Sequence, residues 1–224
     1  MKNELFYRND FKLLPYVKAT AGEFFFPRIK RDNFIPLALT PINKIKGDSL
    51  RELKTVHFFC NDFEFERVYR YPFRYLKVFK KYYGVIGPDF SSFIDNRKFK
   101  ALNIFNVFKN RLIDYFLQQN GVRVIPSVVF GSADDFPYCC DGIPKNSTIA
   151  ISSLGCMSKL SKVIFIDCFK KTMEILKPHT VIFIGRVPEE LKLYQDKIIQ
   201  YDSPMTSYIK LKEKNLLNNQ KGVK

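Results

Sequence analysis

Four aspartates stand directly behind apolar runs of strand character: Asp62 behind residues 55–60, Asp89 behind residues 85–88, and Asp134 with Asp135 behind residues 122–130. Carboxylates that converge from separate strand ends can hold Mg²⁺ or Mn²⁺ through oxygen ligands, and such an ion beside a phosphodiester activates water and offsets charge. That chemistry makes Asp62, Asp89 and Asp134 the candidate catalytic set, with Asp62 and Asp89 as the metal ligands. Ser91, Arg111, Ser152 and Arg186 are the candidate substrate contacts, the two arginines neutralising phosphate. A plainer role is open to each acid: Asp62 caps a helix, Asp134 and Asp135 shape a turn, and Asp89 fixes a strand end.

Other chemistries find less support. Cys139 and Cys140 are adjacent, not spaced as in CxxC, and the only two histidines, His57 and His179, stand far from them in sequence. Zinc and iron–sulfur sites need recognisable ligand spacing, which this pattern does not offer. Cys156 after Gly155 has no histidine placed beside it to act as a base. Neither GxxxxGK nor GxGxxG occurs, so nothing points to an ATPase or a dinucleotide enzyme. A helix N-terminus near Ser158 or Ser161 could take an anion. Tyrosines interleaved with Arg70, Arg74, Lys80 and Lys81 suit stacking on a single strand, but they equally suit an amphipathic helix with a basic outer face.

The elements that must position these residues alternate. Residues 55–60, 85–89, 122–130, 148–153, 180–184 and 198–201 read as strands, with Pro126 marking an end, edge or bulge. Helices follow from Asn61-Asp62, from Pro72 and across residues 101–120. Another spans about 161–176, where residues 163–166 read as well as strand, and a short one opens at Pro188. The expectation is an α/β fold. Its sheet is mostly parallel, with five or six strands alternating with helices, and is either open or a partial barrel. Residues 1–50, rich in proline and phenylalanine, form an extended arm on the core; residues 51–204 form the α/β domain, and residues 205–224 a weakly ordered basic tail. In any such sheet the turns after the strands share one rim, where ligands bind.

At 224 residues, with 46% hydrophobic content, 23 Phe and no Trp, the chain can bury a large phenylalanine core without disulfides. Five cysteines, an odd number, fit a reduced compartment. No apolar run is long enough to span a bilayer and no leader is evident, so the expectation is a cytoplasmic protein with no membrane partner. The net charge of +15 is spread along the chain and is densest over residues 74–111, which suits DNA or RNA, an acidic partner protein, or a lysine-rich proteome with no partner at all.

The ordered series Val56-His57-Phe58-Phe59, Asp62, Phe65-Glu66-Arg67-Val68, Pro88-Asp89-Phe90-Ser91, Asn106, Arg111-Leu112, Gln118, Gly121-Val122, Val124-Ile125-Pro126, Asp141-Gly142-Ile143-Pro144-Lys145, Ser152 and Gly155-Cys156 resembles a family of uncharacterised domains. That family is common in phages, plasmids and conjugative elements of low-GC bacteria. The likeness runs over roughly residues 53–185, with Phe105 and Phe130 standing where many relatives carry Trp. It implies a setting, a mobile-element protein in a bacterial cytoplasm, and carries over no catalytic residue. The leading reading is a nucleic-acid-associated protein, with a metal-dependent phosphodiester site at the strand-end rim. The alternatives are a non-catalytic accessory protein that binds a host protein, and a small-molecule enzyme for an anionic substrate held by Ser91, Ser152 and Arg186.

Overall fold

The computed structural model describes residues 12–94 and 96–202. The tail expected over 205–224 lies outside the described residues. A short hairpin of β1 (Thr20–Ala21) and β2 (Phe26–Pro27) precedes the main strands. Then β3 (Ala38–Pro41), β4 (Lys54–His57), β5 (Gly84–Ile86) and β6 (Val124–Ile125) form one parallel sheet, and β7 (Thr148–Ser152), β8 (Thr180–Ile184) and β9 (Ile198–Tyr201) form another. A parallel bridge from Ser127 to Ala150 joins them, through Val128 N–H to the Ala150 carbonyl and Ala150 N–H to the Pro126 carbonyl, both 2.9 Å. The strands therefore lie side by side in chain order.

Helices α1 (Asp62–Arg70) and α2 (Pro72–Phe79) connect β4 to β5, and α3 (Asn96–Gln119) connects β5 to β6. The short α4 (Phe136–Cys139) and the long α5 (Lys159–Leu176) follow β6 and β7. Alternating side chains sort the strands into two faces. Val56, Phe58, Val85 and Val124 pack with Phe65, Phe79, Leu112 and Phe116 under α1 to α3. Ile149, Ile151, Val181 and Phe183 pack with Phe165 and Phe169 of α5. Phe108 of α3 touches both groups, so the helices share one side of the strands. On the other side Ile86, Ile125, Ala150 and Ile182 are closed over by Phe34 and Phe59. Winding with every crossover on one face is what sequential parallel order imposes, and it separates this fold from a doubly wound sheet.

Three local readings gain detail. The run at 122–130 yields only Val124–Ile125 as ladder, because Pro126 has no N–H to donate and Ser127 alone resumes the pairing. Residues 163–166 are helical, within α5. Within the stretch read as an extended arm, β3 pairs along its whole length with β4, Ala38 opposite Lys54 and Pro41 opposite His57. Pro41 is tolerated there because β3 is an edge strand. Phe26, Ile29, Phe34 and Ile42 are all buried. No helix among the described residues is long and apolar enough to cross a membrane.

The feature that organises the interior is the polar face of α3. Asn103, Asn106, Lys109, Asn110, Arg111 and Asp114 are all buried. Arg111, fully enclosed, donates to the carbonyls of Asp141 (3.1 Å), Ser127 (2.9 Å) and Cys139 (3.1 Å), and its Nη1 lies 3.5 Å from Asp114. It thus ties α3 to the segments after β6 and α4. Burial pushes Asp114 up to about 7, against the pull of Arg111. Arg111→Met strips three buried carbonyls and a carboxylate of their donor, so urea denaturation should show a loss of about 3–5 kcal/mol. Changing Asp114 to Leu in the same chain should recover part of that loss, since the orphaned acid is then gone.

Candidate functional site

Asp62 is the first residue of α1, immediately after Asn61, whose N–H is held by Glu64 Oε2 at 3.1 Å. With Glu64 serving the helix end, the Asp62 carboxylate is free to reach across the rim. Its Oδ2 accepts the Ser91 N–H at 3.1 Å and its Oδ1 the Ser91 hydroxyl at 3.0 Å. The rim of β4 is thereby linked to the loop that leaves β5. Asp89 opens that loop, behind Pro88, whose carbonyl takes the Ser127 hydroxyl.

A cleft of about 150 Å³ opens here, lined by Asp89, Ser91, Ser92, Ser152, Leu154 and Cys156 among others. A second hollow of about 230 Å³ shares Ser92, Leu154 and Cys156 and extends to Ser161 at the start of α5. The cleft therefore sits at the C-terminal ends of β5, β6 and β7, where parallel α/β sheets gather ligands.

The loop's shape is imposed from below. Asn103 takes the Phe93 N–H and returns its amide to the Phe93 carbonyl, each 2.9 Å. Asn106 donates to the Ser91 carbonyl at 2.7 Å, and Asn110 accepts the Phe90 N–H at 3.1 Å. From the far side the Ser92 hydroxyl reaches Asp135 Oδ2 at 3.1 Å. The same buried oxygen accepts the N–H groups of Gly131 and Ser132, and Tyr138 donates to Oδ1. Asp135, not Asp134, is the acid that builds this wall. Asp134 is exposed in a single 3₁₀ turn and takes part through its N–H, which donates to the Ser132 hydroxyl.

The electrostatics single out one group. Asp89 retains some exposure to the cleft, yet burial holds its carboxyl well above the usual range, and the negative charge of Asp62 adds to this. Among the described residues nothing donates a hydrogen bond to it. Cys156 is raised by burial and then by Asp89, and Cys60 is pushed up to about 12, chiefly by burial and Glu64, so neither thiol is a ready nucleophile. Lys109, buried on α3, lies 3.6 Å from the centre of the Phe90 ring and 3.7 Å from Glu66. Burial lowers it, while Glu66 and Asp62 restore part of its proton affinity.

The structure thus brings Asp62 to Ser91, and places Asp89, Ser91 and Ser152 around one cleft. Neither hollow is lined by Asp62, which reaches the cleft only through Ser91, by Asp134, or by Arg186, which is exposed beyond β8 with its carbonyl held by Ser153 Oγ at 3.0 Å. Arg111 lies sealed beneath, its guanidinium engaged by backbone, so a contact with substrate would require the interior to open. Among the described residues no three His, Cys, Asp or Glu side chains gather as a metal cage. Asn103, Asn106, Lys109 and Asn110 are not among the candidate site residues read from the sequence. Their spacing of three and four residues is the stripe that could have revealed them.

Because folded Asp89 keeps its proton above the unfolded value, the folded state binds more protons than the unfolded one as pH rises past about 4. Its contribution to stability must fall through that window, up to the folded pKa. Asp89→Asn should flatten this decline, so denaturation midpoints of variant and parent should be closest near pH 4 and diverge in the variant's favour towards neutrality.

Comparison with known proteins places this rim in context. The chain is 28% identical over 171 residues to the Gene 1 protein of Mycobacterium phage L5, an alignment spanning 75% of this chain and 74% of that protein. It is 27% identical over 171 residues to the Gene 1 protein of Mycobacterium phage D29, spanning 75% of this chain and 63% of the relative. No solved structure matches. Residues 19–202 match a single family, and the chain belongs to it: Domain of unknown function (DUF4417).

Proposed function

We propose that the rim cleft is a divalent-cation site for phosphodiester chemistry on nucleic acid, in a protein acting in the cytoplasm of a bacterial host cell of a phage or related mobile element. The observation that carries this reading is Asp89: a carboxyl with no donor, set against a second carboxylate and open to a cleft. A buried acid in that state stays protonated unless a cation compensates it. Two carboxylates suit Mg²⁺ or Mn²⁺, which keep several waters and take one or two protein carboxylates together with substrate phosphate. The bound ion would supply Lewis-acid polarisation of a phosphoryl oxygen.

The chain's own groups do the rest. Asp62 retains lone pairs beyond those used by Ser91, and the doubly held Ser91 keeps it aimed at the rim. The Ser152 hydroxyl, held between the Leu154 N–H at 3.2 Å and the Ile184 carbonyl at 3.3 Å, gives the opposite wall a fixed polar group. The net charge of +15 draws a polyanion to the surface. In purified protein, Mn²⁺ and Mg²⁺ should raise the thermal midpoint, by an amount equivalent to about 2.7 kcal/mol at a hundredfold excess over Kd. Asp89→Asn should abolish that response and any cleavage of single-stranded DNA, duplex DNA or RNA while leaving the far-ultraviolet circular dichroism unchanged. A flat metal titration together with no cleavage would sink the proposal.

A second reading has its own observation. Ile94 and Leu154 line the second hollow and are exposed, and Leu160 and Val163, 71% and 58% exposed, are chain neighbours of its lining residues Ser161 and Ile164 at the start of α5, which makes an apolar collar there. A non-catalytic accessory protein would dock a host protein on such a collar. Leu160→Glu with Val163→Glu should then eliminate a nuclease-resistant complex with the host protein that Asp89→Asn retains. Equal retention by both variants argues against the collar.

A further inference from the structure

The molecule carries a second hollow of different character at the other end of α3. It measures about 450 Å³, and Arg28, Lys30 and Arg31 line it together with Ile29, Tyr115 and Gln119. All three cations are exposed, and none forms an ion pair with a described residue. The carboxylate next in sequence, Asp32, is already engaged by Arg123 at 3.2 and 3.3 Å. Lys18 and Lys145 are exposed on the segments that flank it.

The backbone that presents these cations is held rigidly. Arg28 N–H donates to the Ala19 carbonyl and Ile29 N–H to the Gly142 carbonyl, each at 2.9 Å. The Gln118 side chain accepts the Lys30 N–H at 2.7 Å and donates to the Lys30 carbonyl at 2.9 Å, a two-point clamp from α3. Tyr115 takes the Lys18 N–H at 3.0 Å, closing the same corner. Three like charges within four residues repel one another, and holding them on a clamped backbone keeps that repulsion unless an anion relieves it.

We infer that this groove binds the phosphate backbone of a nucleic acid, apart from the rim cleft and by a different mechanism. Asn106, which holds the cleft loop, and Gln119, which lines the groove, are thirteen residues apart on α3, or roughly 20 Å at 1.5 Å per residue. The groove is lined by cations and no carboxylate, whereas the one acid that lines the cleft is Asp89. The first suits retention of a polyanion and the second a cation. The groove assignment does not require the cleft to be catalytic.

Fluorescence anisotropy with labelled single-stranded and duplex 20-mers, run over a series of salt concentrations, tests it. The R28A/K30A/R31A variant should lose affinity at least tenfold at moderate salt. Its slope of log K against log salt should flatten by roughly 2 for single strands and 3 for duplex, at about 0.7 and 0.9 per phosphate contact. Gln118→Leu changes no charge and should weaken binding several-fold by releasing the clamp. The charge-matched K77A/K80A/K81A variant, on the exposed side of α2 and its end, should bind like the parent. Equal losses in both triple variants, with Gln118→Leu silent, would reduce the effect to net charge and overturn the inference. So would a groove that binds polyglutamate but neither nucleic acid, which would make its partner an acidic protein. Loss of binding in the groove variant alongside an unchanged metal response would separate this site from the cleft.

Discussion

The structure depends on a helix that turns its polar side inward. Asn103, Asn106 and Asn110 repeat at three- and four-residue steps on α3, and each meets backbone groups of the segment from Phe90 to Phe93. A loop that must sit over a buried helix has carbonyls and N–H groups which water cannot reach, and each would cost about 1–3 kcal/mol if left unpaired. Side-chain amides, with a donor and an acceptor on one head, satisfy both kinds from one rigid scaffold. The loop that carries Asp89, Ser91 and Ser92 is therefore as fixed as the helix beneath it, even though it has no regular structure of its own.

That fixity explains how the rim can hold an acid in an unfavourable state. Asp62 is stabilised by two donors from Ser91, and Asp135 by Gly131, Ser132, Ser92 and Tyr138. Asp89 lies on the loop between these satisfied acids with no donor among the described residues. A freer loop would rotate it to solvent and recover its hydration. Anchored on both sides, by Asp62 at Ser91 and by Asp135 at Ser92, it cannot. An imperfectly satisfied ionisable group at the end of parallel strands is the pattern expected where structure has been constrained for binding or chemistry.

Much of the fold was legible in the sequence, and the reasons differ by element. Thr148–Ser152 and Thr180–Ile184 are short apolar runs between turn residues, and runs of that kind declare buried parallel strands directly, while Ile198–Tyr201 forms the half-buried edge beside them. Ala38–Pro41 was hidden because Pro36 and Pro41 suggest loop, but Pro36 precedes the strand and the edge position makes Pro41 compatible with a ladder. The rim loop was picked out by its residue types, but the acids on it could not be ranked. Asp134 and Asp135 are neighbours of one type, and their opposite environments follow from a turn whose geometry no periodicity encodes. Arg111 was read from its charge as a contact for phosphate, and Lys109 only as part of the basic stretch over residues 74–111. Burial of a charged helix face becomes visible only when the carbonyls of Ser127, Cys139 and Asp141, distant in sequence, are brought to it.

The two ends of α3 then carry opposite electrostatic characters for a structural reason. Its N-terminal half lies under the C-terminal ends of the strands, where Asp62 and Asp89 emerge, and its C-terminal end meets the opposite side, where Gln118 clamps Lys30. A chain that wound its helices on both faces of the sheet would divide these contacts among several elements. Winding in chain order on one face gives a single long helix both tasks, supporting an acidic cleft and fixing a basic groove. Between the two ends the buried Arg111–Asp114 pair and three carbonyl contacts fix α3 to the core, so the ends are mechanically linked, while a separation of roughly 20 Å exceeds the screening length of about 8 Å at physiological salt for their exposed charges.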